Sequence, residues 1–169
     1  MTLYRDDIDS PVGRLSILVD DSGALHMLAF DDGRDMRHLE ATGAVRRKDP
    51  GGVSTVLRRY FKGDRTAIDA LPVKPTGTPF QLSVWAALRE IPCGETRSYG
   101  DIARRIGNPT AVRAVGLANG ANPIAVVVPC HRVIGANGSL TGYGGGLPRK
   151  KWLLAHESNN ATLNLEMIK

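Results

Sequence analysis

Cysteine is scarce in this chain: Cys93 and Cys130 are the two among its 169 residues. Two cysteines cannot form the disulfide framework that stabilises small secreted proteins, so we expect reduced thiols and a reducing compartment. Long apolar runs are also missing. No stretch approaches the roughly 20 apolar residues of a membrane span, and no signal-like segment opens the chain. We therefore predict a soluble, cytoplasmic protein that does not contact membranes.

Acidic residues are fewer than basic ones, with 17 Asp and Glu against 22 Lys and Arg, which gives a net charge of +5. This balance favours contact with polyanions such as nucleic acid, although ordinary solubility charge explains it equally well on composition alone. The basic residues 46–48 are better explained as a solvated loop than as a DNA patch. No metal-ligand spacing occurs, and no Gly-Lys-Ser or Gly-Lys-Thr follows the glycine-rich residues 135–146. We therefore predict neither a metal nor a cofactor.

The first half of the chain has the pattern of a small sheet domain. Over residues 2–30, short apolar segments alternate with turn-forming residues, which predicts a three-stranded meander. Apolar residues recur at helical spacing over residues 53–61, which predicts a helix that packs on the sheet. Residues 69–78 are rich in proline and glycine and are typical of a linker. We predict an α+β chain with two domains, residues 1–77 and 78–169.

The second half begins with a strong helix-start signal. Thr78 and Gln81 form a capping box around a proline at the first helical position. Ser98 and Asp101 form a second, shorter capping box ahead of another helix. A glycine turn then leads to a third helix over residues 110–119. The last two helices have the layout of a helix-turn-helix, so we predict a mainly helical second domain.

The helix over residues 110–119 carries few long polar side chains, whereas a helix that reads the major groove needs them. Its small residues Ala111, Ala114 and Gly116 allow close approach to a backbone or a narrow groove. Tight packing against another helix explains them equally simply. Without further evidence, packing is the more economical explanation.

The run from Ile124 to Val128 is apolar and mostly β-branched, which predicts a short strand buried on both faces. Pro129 ends the ladder, so this strand would deliver Cys130 at its end, with His131 beside it as a candidate base. Cys130 is then either an inert core thiol or a nucleophile. The Cys-His pair alone does not decide between the two.

A carboxylate completes the candidate site. Pro148 opens a final helix that ends with Glu157, and a carboxylate at a helix C-terminus opposes the macrodipole unless something holds it there. Together with Cys130 and His131 it supplies a nucleophile, a base and a group that orients the imidazole. Adjacent residues of an extended chain point to opposite sides, so we expect a water to link His131 to the thiol. Cys93 has no neighbouring base and is predicted to be structural.

Five motifs of the second half occur together in one known family. They are Ser98-Tyr-Gly-Asp-Ile-Ala103, Ala111-Val-Arg-Ala-Val-Gly-Leu-Ala-Asn119, Asn122-Pro123, Pro129-Cys-His-Arg-Val133 and Gly142-Tyr-Gly-Gly-Gly146. In these residues the chain resembles the O6-alkylguanine-DNA alkyltransferases, almost continuously from Thr78 to Glu157. The resemblance implies a ribonuclease-H-like N-terminal domain ahead of the helix-turn-helix domain. It also implies DNA repair by irreversible, single-turnover transfer of the alkyl group to Cys130, without a cofactor.

The resemblance also assigns residues to the DNA side of the site. Tyr99 would rotate the target phosphate and reach N3 of the flipped base, while Arg113 would fill the space that the base leaves in the stack. The minor groove would receive the small face formed by Ala111, Ala114 and Gly116. We also expect Arg132 to contact DNA. The partner is double-stranded DNA with O6-alkylguanine or O4-alkylthymine, bound by a monomer, with clustering along DNA left open.

Within the pocket, the resemblance implies that the carbonyls of Cys130 and Val133 accept the guanine amino group. The Gly144 N–H or the Tyr143 region would face O6, and Asn122 would brace the turn that leads to the acceptor. Many relatives have serine at the position of Gly144, so the glycine removes a hydroxyl and widens the pocket.

Other functions stay open at the level of sequence. An alkyltransferase-like protein binds alkylated DNA without transferring the group, but such proteins lack the acceptor cysteine that is present here as Cys130. A cysteine hydrolase or a transcriptional regulator is a weaker third possibility. Lys150 either orients the pocket wall or lies at the surface.

Overall fold

The structure is a computed structural model, which describes residues 1–140 and 142–158. The regular elements of this part, in chain order, are β1 (Leu3–Ile8), β2 (Leu15–Asp20), β3 (Leu25–Phe30), α1 (Met36–Ala41), β4 (Val45–Arg46), α2 (Val53–Phe61), α3 (Pro79–Arg89), β5 (Arg97–Ser98), α4 (Tyr99–Arg105), α5 (Val112–Gly120), β6 (Val133–Ile134) and α6 (Leu147–Glu157). Short 3-10 turns lie at Pro50–Gly52, Ala67–Ala70 and Cys130–Arg132. The predicted class, a sheet domain followed by a helical domain with a helix-turn-helix, is confirmed.

The N-terminal sheet has the strand order β3-β2-β1-β4. Strands β1 to β3 form the predicted antiparallel meander, and the short β4 adds to β1 in parallel. Every residue of β2 is buried. Helix α2 places Val53, Leu57 and Tyr60 on one fully buried stripe, as the spacing of its apolar residues predicted.

The basic loop residues of the N-terminal unit have intramolecular partners. Arg46 donates to the Asp7 carboxylate at 2.9 Å, and the Arg47 guanidinium lies 4.5 Å from the centre of the Tyr4 ring. Both side chains therefore engage the sheet domain itself, and Arg46 lies in β4, so these residues offer little independent support for a DNA patch.

Contacts divide the chain into two units, and the division is not continuous in sequence. The first unit contains residues 1–76 together with Pro123–Val127, and the second contains residues 77–122 and 128–169. Backbone hydrogen bonds join the inserted segment to β3: Leu28 N–H donates to the Pro123 carbonyl at 3.0 Å, and Ala125 N–H donates to the Leu28 carbonyl at 3.2 Å. The sequence prediction had placed this segment in the second domain.

The helical unit begins where the capping signals predicted. Both capping boxes are present, with Gln81 N–H donating to the Thr78 hydroxyl at 3.1 Å and Asp101 N–H donating to the Ser98 hydroxyl at 3.0 Å. Within this unit, the Trp85 indole N–H of α3 donates to the carbonyl of Ala118 in α5 at 2.8 Å. This buried hydrogen bond fixes the inner face of α5 against α3.

The predicted strand from Ile124 to Val128 is wrong. A single bridge pairs Ile124 with Leu28, and turns follow it. Val126 has a φ of +71°, and Val127 N–H donates to the Ala125 carbonyl at 2.8 Å, which closes a three-residue γ-turn. A positive φ is costly for a β-branched residue, but the fully buried Val126 side chain compensates through packing.

No helix in residues 1–140 and 142–158 combines the length and the apolar character needed to cross a membrane.

Candidate active site

Cys130 lies at the start of a 3-10 turn, not at the end of a strand. Cys130 N–H donates to the Val128 carbonyl at 2.8 Å across Pro129, whose φ of −83° and ψ of 65° are those of an inverse γ-turn. The chain then winds through Cys130–Arg132, so the expectation of an extended Cys-His pair is wrong. The Cys130 side chain is nearly enclosed, since the residue is 6% exposed.

Two buried asparagines brace this turn from the end of α5. The Asn122 amide donates to the Val128 carbonyl at 2.7 Å, and the Asn119 amide donates to the Cys130 carbonyl at 3.4 Å. Asn122 thus lies where the sequence analysis expected it to brace the approach to Cys130. Asn119 was missed because it falls on a helix face that the sequence could not orient.

A buried charge cluster follows Cys130 directly. The Nε2 atom of His131 lies 3.0 Å from both carboxylate oxygens of Glu157, and Arg132 forms a two-point ion pair with the same carboxylate at 2.9 and 2.8 Å. Arg132 also donates to the Ile91 carbonyl at 2.7 Å. These partners are what hold Glu157 at the C-terminus of α6 against the helix dipole.

The electrostatics of Glu157 follow from these partners. Burial alone would raise the pKa of this carboxyl, but the His131 and Arg132 side chains outweigh burial and hold the pKa well below its ordinary range. Glu157 is therefore ionised at neutral pH, and the Nε2–H of His131 donates a hydrogen bond to it.

Arg132 was predicted to contact DNA, and the structure contradicts this. The residue is 3% exposed, and its guanidinium is engaged by Glu157 and by the backbone of Ile91. A buried cation with a fixed carboxylate partner cannot turn outward without leaving that carboxylate unpaired. Arg132 therefore builds the site from inside.

The Nδ1 atom of His131 is buried and has no hydrogen-bond partner among the described residues. A buried polar atom normally has a partner, in the protein or in an ordered water. This nitrogen is the ring atom that Glu157 does not engage, and it belongs to the residue that adjoins Cys130.

Lys150 is fully buried, so its placement at the surface is excluded. Its ammonium donates to the Val133 carbonyl at 2.6 Å, three residues after Cys130. Burial lowers the pKa of Lys150, while the neighbouring Cys130 acts in the opposite direction. The pKa of Tyr143 is also raised well above its usual value. Burial is the larger cause, and the charge of Cys130 is the next.

The buried charges of the helical unit do not balance by themselves. In the described part of the chain, the buried ionisable side chains of this unit include two cations, Arg132 and Lys150, and one carboxylate, Glu157. A thiolate at Cys130 would supply the second negative charge. The cluster therefore favours ionisation of the thiol.

On the helix-turn-helix side, the Tyr99 ring lies against α5. A methyl group built on Gly116 would lie 3.9 Å from two ring carbons of Tyr99, which is an ordinary van der Waals distance, so the ring contacts this side of the helix and an alanine would also fit there. Arg113 and Ala114 are exposed on α5, and Ala111, which precedes the helix, is half-buried. The small residues therefore do not all serve helix packing.

One exposed residue of α5 was overlooked in the sequence. Leu117 is 73% exposed and follows Arg113 by four positions, so the two side chains share one helix face. The spacing of four positions between Arg113 and Leu117 was sufficient to place both on one face, but the prediction used only the small residues of this helix.

The glycine-rich segment after β6 leads into α6. Thr141 lies outside the described residues. Gly146 N–H donates to the Tyr143 carbonyl at 2.9 Å, and the Arg149 guanidinium donates to the Gly145 carbonyl at 3.2 Å. Gly144 does not have a positive φ, and among the described residues a Cβ there would meet only the Gly120 carbonyl oxygen, at 3.8 Å. A side chain at position 144 is therefore sterically acceptable.

Comparison with known families covers nearly the whole chain. Residues 2–75 match the ribonuclease-like domain of 6-O-methylguanine DNA methyltransferase, and residues 79–159 match its DNA binding domain. Relatives called methylated-DNA–protein-cysteine methyltransferase include one from Salmonella typhimurium, 48% identical over 93% of this chain and 96% of that protein. Another, from Methanosarcina mazei, is 50% identical over 94% of this chain and 99% of that protein.

Solved structures give the same result. OGT of Mycobacterium tuberculosis in complex with DNA aligns with a TM-score of 0.79 and 44% identity, over 98% of this chain and 99% of that chain. The O6-methylguanine-DNA methyltransferase of Pyrococcus kodakaraensis aligns with a TM-score of 0.63 and 27% identity, over 92% of this chain and 99% of that chain.

Proposed function

The chain belongs to the 6-O-methylguanine DNA methyltransferase family and repairs DNA by moving an alkyl group to a cysteine, and from this premise we propose that Cys130 is the acceptor. The observation that carries the proposal is the buried His131–Glu157–Arg132 cluster that begins one residue after Cys130. Cys93, in the turn after α3, has no comparable cluster in the sequence around it.

The thiol is activated through His131. Nε2 of the imidazole is held by Glu157, so Nδ1 is the base, and a bridging water carries the Cys130 proton to it. The excess positive charge of Arg132 and Lys150 stabilises the thiolate that results. Glu157 then stabilises the imidazolium.

The transfer is a displacement at the alkyl carbon. The Cys130 sulfur forms a bond to this carbon while the bond from the carbon to guanine O6 breaks, and the electron pair of that bond passes to the guanine. The leaving guanine takes up one proton at N3 or O6, which balances the proton that the thiol gave to His131 and gives a neutral base, because the guanine anion is a poor leaving group. The product thioether cannot be hydrolysed by any group of the site, so each protein molecule reacts once.

The substrate is an alkylated base in double-stranded DNA, and the base must leave the stack to reach a thiol that is 6% exposed. Exposed Arg113 of α5 fills the vacated space, and Tyr99, packed beside Gly116, turns the phosphate and reaches N3. Ala111, Ala114 and Gly116 allow the helix to approach the minor groove.

Backbone groups read the flipped guanine. The carbonyls of Cys130 and Val133 are the acceptors that we assign to the guanine amino group. In the structure the Cys130 carbonyl accepts from the Val133 N–H and the Asn119 amide, and the Val133 carbonyl accepts from Lys150. The Gly144 N–H and the Tyr143 region face O6. No metal or cofactor takes part in this scheme. The protein acts as a monomer, in the cytoplasm, where a reduced thiol persists.

The proposal predicts where the alkyl group goes. After incubation with a duplex that carries O6-methylguanine with a labelled methyl group, we expect label on the peptide that contains Cys130, in a burst of at most one equivalent. A peptide map with mass detection locates the added CH₂. Label on Cys93, or continuous turnover, would contradict the assignment.

Gly144 is expected to set the tolerated size of the alkyl group. Gly144→Ser and Gly144→Ala add atoms where the backbone accepts them, so the fold should be unchanged. We expect methyl transfer to change by less than about threefold, and transfer of a benzyl or butyl group to slow by about tenfold or more. Single-turnover rates on matched duplexes measure this. Equal slowing for both alkyl sizes would indicate that position 144 does not border the alkyl group.

A non-catalytic binder of alkylated DNA is the alternative function. Alkyltransferase-like proteins, which have this function, carry another residue in place of the acceptor cysteine. Here Cys130 is present, next to the buried cluster of His131, Arg132 and Glu157.

A further inference from the structure

We propose that Leu117 is a second DNA-contacting wedge, which enters the minor groove one helical turn beyond Arg113 and holds the groove open beside the lesion. This inference rests on the proposed function. The residues that the sequence assigns to the DNA face of this helix are small, and Leu117 would add one large apolar contact to them.

The exposure of Leu117 is unusual for its residue type. At 73% it is the most exposed large apolar side chain of the described residues after Met1, and the other exposed leucines, Leu82 and Leu147, are each at 39%. Single exposed apolar side chains are common on protein surfaces, so exposure alone does not indicate a function. The inference depends on where Leu117 lies.

That position is the centre of the outward face of α5. At about 100° per residue, four residues share this face. They are Arg113, Gly116, Leu117 and Gly120. The two glycines have no side chains, so Leu117 and Arg113 are the two side chains that project from this face, while Val112 and Ala114 are exposed beside it. The opposite face, with Val115, Ala118 and Asn119, is buried.

The spacing of the two projecting groups fits a duplex. Four residues advance about 6 Å along a helix, and base pairs are stacked about 3.4 Å apart. If α5 follows the groove, Leu117 lies about two base pairs from the position that Arg113 occupies. It would support the duplex on one side of the gap that the flipped base leaves.

The chemistry of the minor groove suits a leucine. Proteins that bind this groove frequently insert apolar side chains such as leucine between base steps, which partly unstacks the bases and bends the duplex away from the protein. A protein partner fits this face less well. A stable protein interface buries about 800 Å² per partner, whereas a single leucine between two glycines and an arginine offers a small apolar patch.

The test compares Leu117→Ala with Leu82→Ala, a matched control on α3. Affinity for an undamaged duplex is measured by fluorescence anisotropy over a range of salt concentrations. We expect Leu117→Ala to bind roughly tenfold more weakly, with an unchanged slope of log affinity against log salt, since leucine releases no counterions. Arg113→Ala should reduce that slope. Leu82→Ala should bind as the wild type does.

A second measurement separates this inference from the proposed function. Methyl transfer from a lesion in a short single strand, which has no minor groove, should proceed equally in wild type and Leu117→Ala. Equal duplex affinities, an equal loss in Leu82→Ala, or slowed transfer from the single strand would each overturn the role of Leu117. Failure of the proposed function would appear differently, as absence of transfer by the wild type from both substrates, and would overturn this inference too.

Discussion

The Cys130→Ala variant is expected to transfer no alkyl group while it still binds the lesion-bearing duplex. The sulfur of Cys130 is the atom that forms the new bond, and neither Nδ1 of His131 nor the phenol of Tyr143 can replace a thiolate as acceptor. The substitution removes one buried atom, so its cost in unfolding free energy should be about 1 kcal/mol. Intact-protein mass after exposure to O6-methylguanine DNA measures the transfer, and anisotropy measures the binding.

Cys93→Ala is the matched control. Cys93 is half-buried in the turn after α3 and belongs neither to the Cys130–Arg132 turn nor to α6, so its loss should leave both the rate and the stoichiometry unchanged. A gain of one CH₂ in Cys130→Ala, or a loss of transfer in Cys93→Ala, would contradict the assignment of the acceptor.

The Glu157→Gln variant is expected to lose stability and activity together. Glu157 accepts two hydrogen bonds from Arg132 and one from His131 while it is 2% exposed. A glutamine leaves the Arg132 charge buried without a counter-ion and points an N–H at one of the donors. Breaking a buried pair in this way costs about 3–5 kcal/mol. Urea unfolding at pH 7 measures the loss, and labelled methyl transfer measures the activity.

The stability difference should depend on pH in a defined direction. The pKa of Glu157 is depressed in the folded protein, so its stabilising effect is present above the ordinary glutamate pKa of about 4.3 and is lost as the pH falls below that value. The gap between wild type and Glu157→Gln should therefore narrow below about pH 4. A gap that stays constant down to pH 3 would exclude the carboxylate charge as its source.

Glu90→Gln supplies a matched control for the same chemical change. Glu90 also forms a two-point pair, with Arg105 at 2.7 and 2.8 Å, but both side chains are more than half exposed. Water screens an exposed pair, so its loss should cost less than about 1 kcal/mol. If Glu90→Gln lowers the free energy of unfolding as much as Glu157→Gln does, burial is not the source of the stabilising effect of the Glu157 cluster.

Local signals in the sequence predicted most of the regular elements. The capping boxes at Thr78 and Ser98 and the apolar period of α2 depend on residues three or four positions apart, so they survive any tertiary arrangement. The misplaced charge of Glu157 was also informative, because a carboxylate at a helix C-terminus needs a partner. Arg132 and His131 are those partners.

Features that depend on distant contacts were missed. The run Ile124–Val128 has the composition of a strand, but its backbone pairs with Leu28 through one bridge, and the γ-turn at Val126 redirects it towards Cys130. Composition cannot distinguish buried strand from buried turn, since both need apolar side chains. For the same reason, Lys150 and Arg132 could not be recognised as buried before their partners were known.

The separation of Cys130 from Glu157 has a consequence for the newly made chain. The two residues of the His131–Glu157 contact are 26 positions apart, and Glu157 is the last residue of α6. The last residues of a growing chain are still inside the ribosome, so Glu157 becomes available to His131 only after α6 has emerged and folded, which is later than the emergence of Cys130. Until α6 docks, Cys130 is an ordinary cysteine with low reactivity. A protein that can react only once is thereby protected from alkylation by stray electrophiles in the cell before it is able to bind DNA.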